Sequence, residues 1–201
     1  MSSLVLTGDT SGQVTLAAPA VAGSNTITLQ AATATSSINT LGTALAYNWN
    51  GLTTNTTLDF TGLPSWVKRI TVMFSGVSTN STSNILVRLG TGATPTYATS
   101  GYDSTSSTIA AASTIVNSTT GFVLQTSSTG AAQLNSGSWT ITNITGNTWV
   151  SSGVTTEGAT ANRTTISAGT VTLGAALTAV RITSVTPDTF DAGSVNILYE
   201  G

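Results

Sequence analysis

Cysteine and histidine are both absent from this chain. Without cysteine there is no disulfide framework and no thiolate zinc site. Without histidine, the usual general base, metal ligand and physiological pH switch are missing as well. Charge is scarce: Asp, Glu, Lys and Arg make up 6% of the 201 residues, against about a quarter in ordinary globular chains. Lys68 is the single lysine, and the formal net charge is −2. No basic patch is available to track a phosphate backbone, so nucleic-acid binding is not expected. The glycine-rich stretches lack the lysine of a phosphate-cradling loop, and no cofactor is implied. No apolar run reaches the length of a membrane span, so no membrane insertion is expected. Residues 1–30 lack the basic start and long apolar run of a secretory leader.

What is present is serine and threonine, about a third of the chain. Threonine, valine and isoleucine favour strands; glycine, asparagine and serine favour turns. Stretches rich in Glu, Lys, Arg and Leu, which would make solvated helices, are nearly missing. The expected fold class is all-β. The strongest single strand is 64–77 (PSWVKRITVMFSGV), where Trp66, Ile70, Val72 and Phe74 share one parity and are the expected core. Lys68 shares that parity, which puts it near the strand start with its ammonium reaching water.

Residues 1–36 read as short strands around Leu4–Leu6, Gln13–Leu16 and Thr26–Leu29, and two of them are near-copies (VTLAA at 14–18, ITLQA at 27–31). Three short strands cannot bury a core of their own. Their apolar face goes either onto the main domain or onto copies of the chain, and Leu4, Leu6, Val14, Leu16, Ile27 and Leu29 are expected to mediate attachment or trimerisation. Residues 37–54 read as a connector, with a short helix conceivable over 37–46 and Tyr47 and Trp49 packed. Residues 55–201 read as an antiparallel β-sandwich of jelly-roll type, with strands near 56–61, 66–75, 84–90, 121–126, 138–144, 148–154, 164–173, 179–185 and 194–199. The clearest hairpin is 139–150, turning at Gly146-Asn147. Its simple register sets Ile144 opposite Trp149 on one face, with Trp139, Ile141 and Val150 on the other. Residues 91–120 are small and polar and read either as a long loop or as concealed strands near Tyr102 or 108–116.

The acids Asp9, Asp59, Asp103, Glu157, Asp188, Asp191 and Glu200 form no recognisable catalytic pair, and no catalytic residue is assigned. The 186–193 loop, with Asp188 and Asp191, lacks the carboxylate density of a calcium loop, and no metal site is assigned. Exposed aromatics are the better lead. Tyr97, Tyr102 and Trp149 fall near turns or in the long loop, among hydroxyl and amide side chains that suit carbohydrate. Tyr97, Tyr102 and Asp103 are the expected receptor-binding residues.

The segment 6–33 (LTGDTSGQVTLAAPAVAGSNTITLQAAT) resembles a repeat found in tail-fibre proteins of tailed bacteriophages. Residues 64–80, 147–153 (NTWVSSG), 180–184 (VRITS) and 189–200 (TFDAGSVNILYE) resemble stretches of the C-terminal domain of such proteins. The resemblance implies a non-enzymatic structural protein on the virion exterior, assembled in the host cytoplasm. It implies a homotrimeric fibre or spike, contacts with other virion proteins of the tail or capsid, and host-surface carbohydrate as a further partner. A capsid decoration protein or head fibre, anchored by the N-terminal segment, is the alternative. A polysaccharide depolymerase would require carboxylates converging in a cleft.

Overall fold

The structure is a computed structural model that describes residues 3–7, 13–17, 41–43, 47–48, 55–109, 113–124, 133–158 and 163–201. The chain divides into two compact units, Met1–Ile38 and Asn39–Gly201. In the first, β1 (Ser3–Thr7) pairs antiparallel with β2 (Gln13–Ala17), setting Leu4 opposite Leu16 and Leu6 opposite Val14. The third expected strand, with Ile27 and Leu29, lies outside the described residues, as does Trp49.

The second unit is an antiparallel β-sandwich with sheets of unequal size. Its strands are β3 (Leu41–Thr43), β4 (Tyr47–Asn48), β5 (Leu58–Thr61), β6 (Arg69–Thr79), β7 (Ile85–Thr91), β8 (Thr96–Tyr97), β9 (Tyr102–Ile109) and β10 (Ile115–Ser118). They continue with β11 (Phe122–Leu124), β12 (Leu134–Thr145), β13 (Thr148–Gly158), β14 (Arg163–Thr172), β15 (Leu177–Ser184) and β16 (Phe190–Glu200). The large sheet runs β10-β9-β14-β13-β12-β6-β16-β3, with β4 also on β16. The small sheet runs β11-β7-β15-β5, with β8 also on β7. Where a short helix was conceivable over 37–46, residues 41–43 are instead strand, paired to Leu198–Glu200 of β16.

The core is built by alternation. Ile70, Val72 and Phe74 of β6 point inward from the large sheet and meet Ile85, Val87 and Leu89 of β7 from the small one. Trp66 departs from the expectation. The strand begins at Arg69, and residues 64–67 form a turn closed by Val67 N–H donating to Pro64 O at 3.1 Å. The parity count does not pass through that turn, so Val67 takes the inward position and Trp66 remains 37% exposed, its ring centroid 5.8 Å from that of Tyr199. Lys68 is exposed at the strand entry, as its stem and charge require.

The 139–150 hairpin turns at Gly146-Asn147, with Gly146 at φ +50°. Its register differs from the simple one: Asn143 pairs with Trp149 and Thr145 with Thr148, leaving Ile144 as an extra, bulged residue. The bulge shifts parity by one. Trp149 joins Trp139 and Ile141 in the core, and Ile144 is exposed. The Asn143 amide bridges the turn, donating to Gly146 O at 2.9 Å and Thr148 O at 3.1 Å.

The 91–120 stretch holds three strands, β8 to β10. The inward residues of β9 are Tyr102, Ser104, Ser106 and Thr108, all buried. Ser104 among them binds a backbone group of the edge strand β11. Val123 N–H donates to Ser104 Oγ at 3.0 Å, and Ser167 Oγ of β14 donates to Val123 O at 2.6 Å. A serine side chain is short, so β11 lies closer to the large sheet than the usual spacing of about 10 Å. Ser106 Oγ donates to Ile166 O at 3.2 Å.

Phe74→Ala should cost about 3–5 kcal/mol in urea unfolding, because the cavity lies between two packed sheets. Trp66→Ala should cost less than about 2 kcal/mol, and Ser167→Ala about 1–3 kcal/mol through the unpaired Val123 carbonyl. Equal losses at Phe74 and Trp66 would contradict this core.

Candidate functional site

The outward face of the small sheet carries a charged row that strand pairing assembles from three distant segments. Asp59 on β5 pairs with Arg181 on β15, which pairs with Arg88 on β7. Arg181 clamps Asp59 bidentately, with Nε donating to Oδ1 and Nη2 to Oδ2, each at 2.6 Å. The carboxylate holds the Arg181 pKa above its ordinary value, against the opposing effect of burial.

Tyr97 borders this row. Register places it beside Gly90 on β7, and Gly90 beside Ala179 on β15. The absence of a side chain at Gly90 is required: a Cβ there would lie 2.9 Å from two ring carbons of Tyr97 and 3.2 Å from Ala179 Cβ. The Arg181 guanidinium carbon sits 3.9 Å from the Tyr97 ring centroid, a cation–π contact. The Tyr97 hydroxyl is sunk without a hydrogen-bond partner. Its pKa is pushed up to about 12, first by burial and then by the charge of Asp59, which lies nearby without meeting hydrogen-bond geometry.

Arg88 has no carboxylate partner among the described residues. Its Nε donates to Thr120 O at 2.8 Å. Burial lowers its pKa; the Arg181 charge adds to that lowering, and Tyr102 opposes it. Like charges directly opposite one another in a sheet are destabilising, and here only Arg181 has its charge matched.

The three expected receptor-binding residues are not brought together. Tyr97 is on the outward face of the small sheet, half-buried beneath Arg181. Tyr102 is between the sheets, 2% exposed, with its ring edge-on to Phe122 at 5.0 Å and its hydroxyl accepting from Leu89 N–H at 2.7 Å. That burial pushes its pKa up to about 12 and removes it as a surface contact. Asp103 is exposed on the outward face of the large sheet, paired with Thr170. Trp149 is likewise core, at 3%. Arg88, Arg181 and Asp59 went unassigned in the sequence because their association depends wholly on strand pairing.

The remaining acids of the second unit act as internal ties or lie dispersed. Glu200 pairs with Arg69 at 2.7 Å, in a shallow groove of about 270 Å³ with Lys68 and Thr142. Asp188 Oδ2 accepts from Ser83 N–H at 2.9 Å, and Asp191 accepts from the Ser78 hydroxyl. Among the described residues no three acidic side chains gather as a cation site. Glu157 is fully buried on the inward face of β13. One carboxylate oxygen accepts from Thr165 Oγ1 at 3.2 Å, and the other has no partner. Burial raises its pKa, against the pull of Thr165 and of Arg163, its neighbour on β14.

Comparisons with protein-family models, characterised proteins and solved structures returned no match to the chain.

The raised pKa of Glu157 fixes a sign. Above the ordinary glutamate value of 4.5, the unfolded chain releases this proton while the folded chain retains it. The contribution of Glu157 to stability therefore falls as pH rises from there through the folded pKa, and recovers on acidification. Glu157→Gln should raise the melting temperature at pH 7 and have a smaller effect at pH 4. A variant less stable at pH 7 than at pH 4, relative to wild type, would reverse the assignment.

Proposed function

We propose that the chain is a non-enzymatic structural component of a tailed-bacteriophage particle. In this reading it is a homotrimeric fibre or spike on the virion exterior that contributes to host-surface attachment. Support comes from the fibre-like N-terminal and C-terminal stretches and from the way the sandwich uses its few ionisable groups. Asp59, Glu200, Asp188 and Asp191 each bind a neighbouring side chain or backbone group. The observation that carries the attachment reading is the Arg88–Arg181–Tyr97 cluster. It is a partly unmatched, aromatic-bordered charge held on the outside of a sheet.

A second reading, capsid decoration or head fibre, draws on the division into two units. A chain made of one small β unit and one larger sandwich fits an anchor and a body. In either case the N-terminal β unit supplies the contacts between copies or with other virion proteins.

Purified protein should scatter light as three times the 20.2 kDa chain mass. Leu4→Asp with Leu16→Asp, positions set opposite in the first hairpin, should reduce this to one. Fluorescently labelled wild-type protein should coat host cells. Reloading onto virions stripped of it, with no coating of cells, would favour decoration. A wild-type monomer that does neither would refute both readings.

A further inference from the structure

Eight large apolar side chains of the described residues stand exposed, and five of them share one surface. Trp66, Ile144 and Val185 lie at turns or just past a strand end. The other five are on the outward face of the large sheet. Ile109, Leu134, Val154 and Ile166 sit beside Thr108, Asn135, Thr155 and Thr165, which point inward and are buried. Ile115 on β10 pairs with Ser107, an outward position of β9. Register joins three of the five in one line. Ile115 pairs with Ser107, Ser107 with Ile166, and Ile166 with Val154, across β10, β9, β14 and β13. Ser107 is the small member of that line, and a dimple of about 240 Å³ is bounded there by Thr105, Ser107, Ile166 and Ala168. One strand away, Ile115 is 69% exposed.

Charge on this face is confined to another line. Asp103, Thr170, Val150, Thr142, Arg69 and Glu200 follow one another in register from β9 to β16, and Arg69 and Glu200 pair with each other. The lines through Ile109, Ser107 and Thr105 carry no charged side chain. Seven strands run from β10 to β16, and β9 has eight residues. The face is thus about 29 Å across and about 27 Å along, close to the roughly 800 Å² that one partner brings to a stable interface. One face of the β1–β2 hairpin, two strands of five residues, offers only about 160 Å². A trimer of this chain needs contact area that this hairpin does not hold.

We propose that the outward face of β10, β9, β14 and β13 is where copies of this chain meet in the trimer, with Ile115 of one copy filling the dimple beside Ser107 of the next. This rests on the trimer reading and names a surface of the sandwich that serves it, in addition to the N-terminal unit. A copy of the chain is the partner these features select. Knob and hole occur on the same face, and no charge pattern is present there to recognise a different protein. A knob given to one neighbour and a hole filled by the other is a heterologous contact, which can close into a ring. The lines that meet carry no ion that would have to be desolvated. With a net charge of −2 on each copy, little repulsion opposes the contact.

The test uses the full-length protein. Sedimentation velocity over a dilution series gives the state of association, and isotope-filtered NOEs between methyl-labelled and unlabelled copies give the contact. The methyl groups of Ile115 and Ile166 should show NOEs to a neighbouring copy. Ile115→Lys and Ile166→Lys should each weaken association about ten-fold or more, since a buried ammonium would have no partner, with near-UV circular dichroism unchanged. Ser107→Trp, which fills the dimple, should weaken association as well, and Ser107→Ala should not. Val185→Lys, at a position 55% exposed but off this face, should leave association as in wild type. Should the lysine variants not fold, Ile115→Ala decides, with an expected loss of several-fold. Methyl NOEs confined to residues of the same copy would overturn the proposal. Trimers that persist undiminished in the folded Ile115 and Ile166 variants keep the trimer reading and overturn this face. A wild-type dimer whose copies meet through Ile115 keeps the face and overturns the trimer reading. A wild-type monomer overturns both.

Discussion

A hydroxyl taken out of water costs free energy unless it finds a partner, and much of this sandwich depends on that constraint. On β9, β14 and β13, positions that would ordinarily be apolar are Ser104, Ser106, Thr108, Ser151, Thr155, Thr165 and Ser167, all buried. Burying such groups unpaired costs about 1–3 kcal/mol each by mutational measures. The fold offsets this by pointing several of them at backbone groups, on β11 and within the large sheet. The other half of the large sheet, β12, β6 and β16, follows the ordinary rule over Trp139 and Ile141, Ile70, Val72 and Phe74, and Val195 and Ile197. Phe122 spans the two regimes: its ring lies 5.0 Å from Tyr102 and 6.4 Å from Trp139. The core is thus aromatic and aliphatic on one side and hydroxylic on the other.

That division explains what was legible beforehand. β6 could be read because Ile70, Val72 and Phe74 alternate with Thr71 and Met73, and most other apolar strands followed similarly. β9 could not, because the buried residues of YDSTSSTI are polar apart from Tyr102, and apolar alternation is the signal such a reading uses. Tyr102 reads as a surface aromatic for the same reason: its polar neighbours imitate a loop. The Trp149 assignment failed through a single bulged residue, Ile144, and one such residue inverts every assignment on that strand. Trp66 failed because Pro64 opens a turn over 64–67 and the strand begins only at Arg69.

The charged cluster was illegible for a different reason. Asp59 and Arg181 are 122 residues apart in the chain, and no local pattern connects them to Arg88 or Tyr97. What the composition does say is that charge is rare enough for each one to matter. With 12 formally charged side chains in the whole sequence, five basic and seven acidic, two arginines set directly opposite one another make an unusual use of a small supply.

The serine-bound backbone of Val123 bears on how many such molecules can be kept together. An edge strand normally offers a row of unpaired amides and carbonyls to any passing chain, the starting point for strand recruitment and fibrillar aggregation. A protein this poor in charge has little electrostatic repulsion to keep copies apart. At β11 the amide and carbonyl that would recruit a neighbour are already occupied by Ser104 and Ser167 of the same molecule. Over Phe122–Leu124 that edge of the small sheet is chemically closed to a strand from another copy.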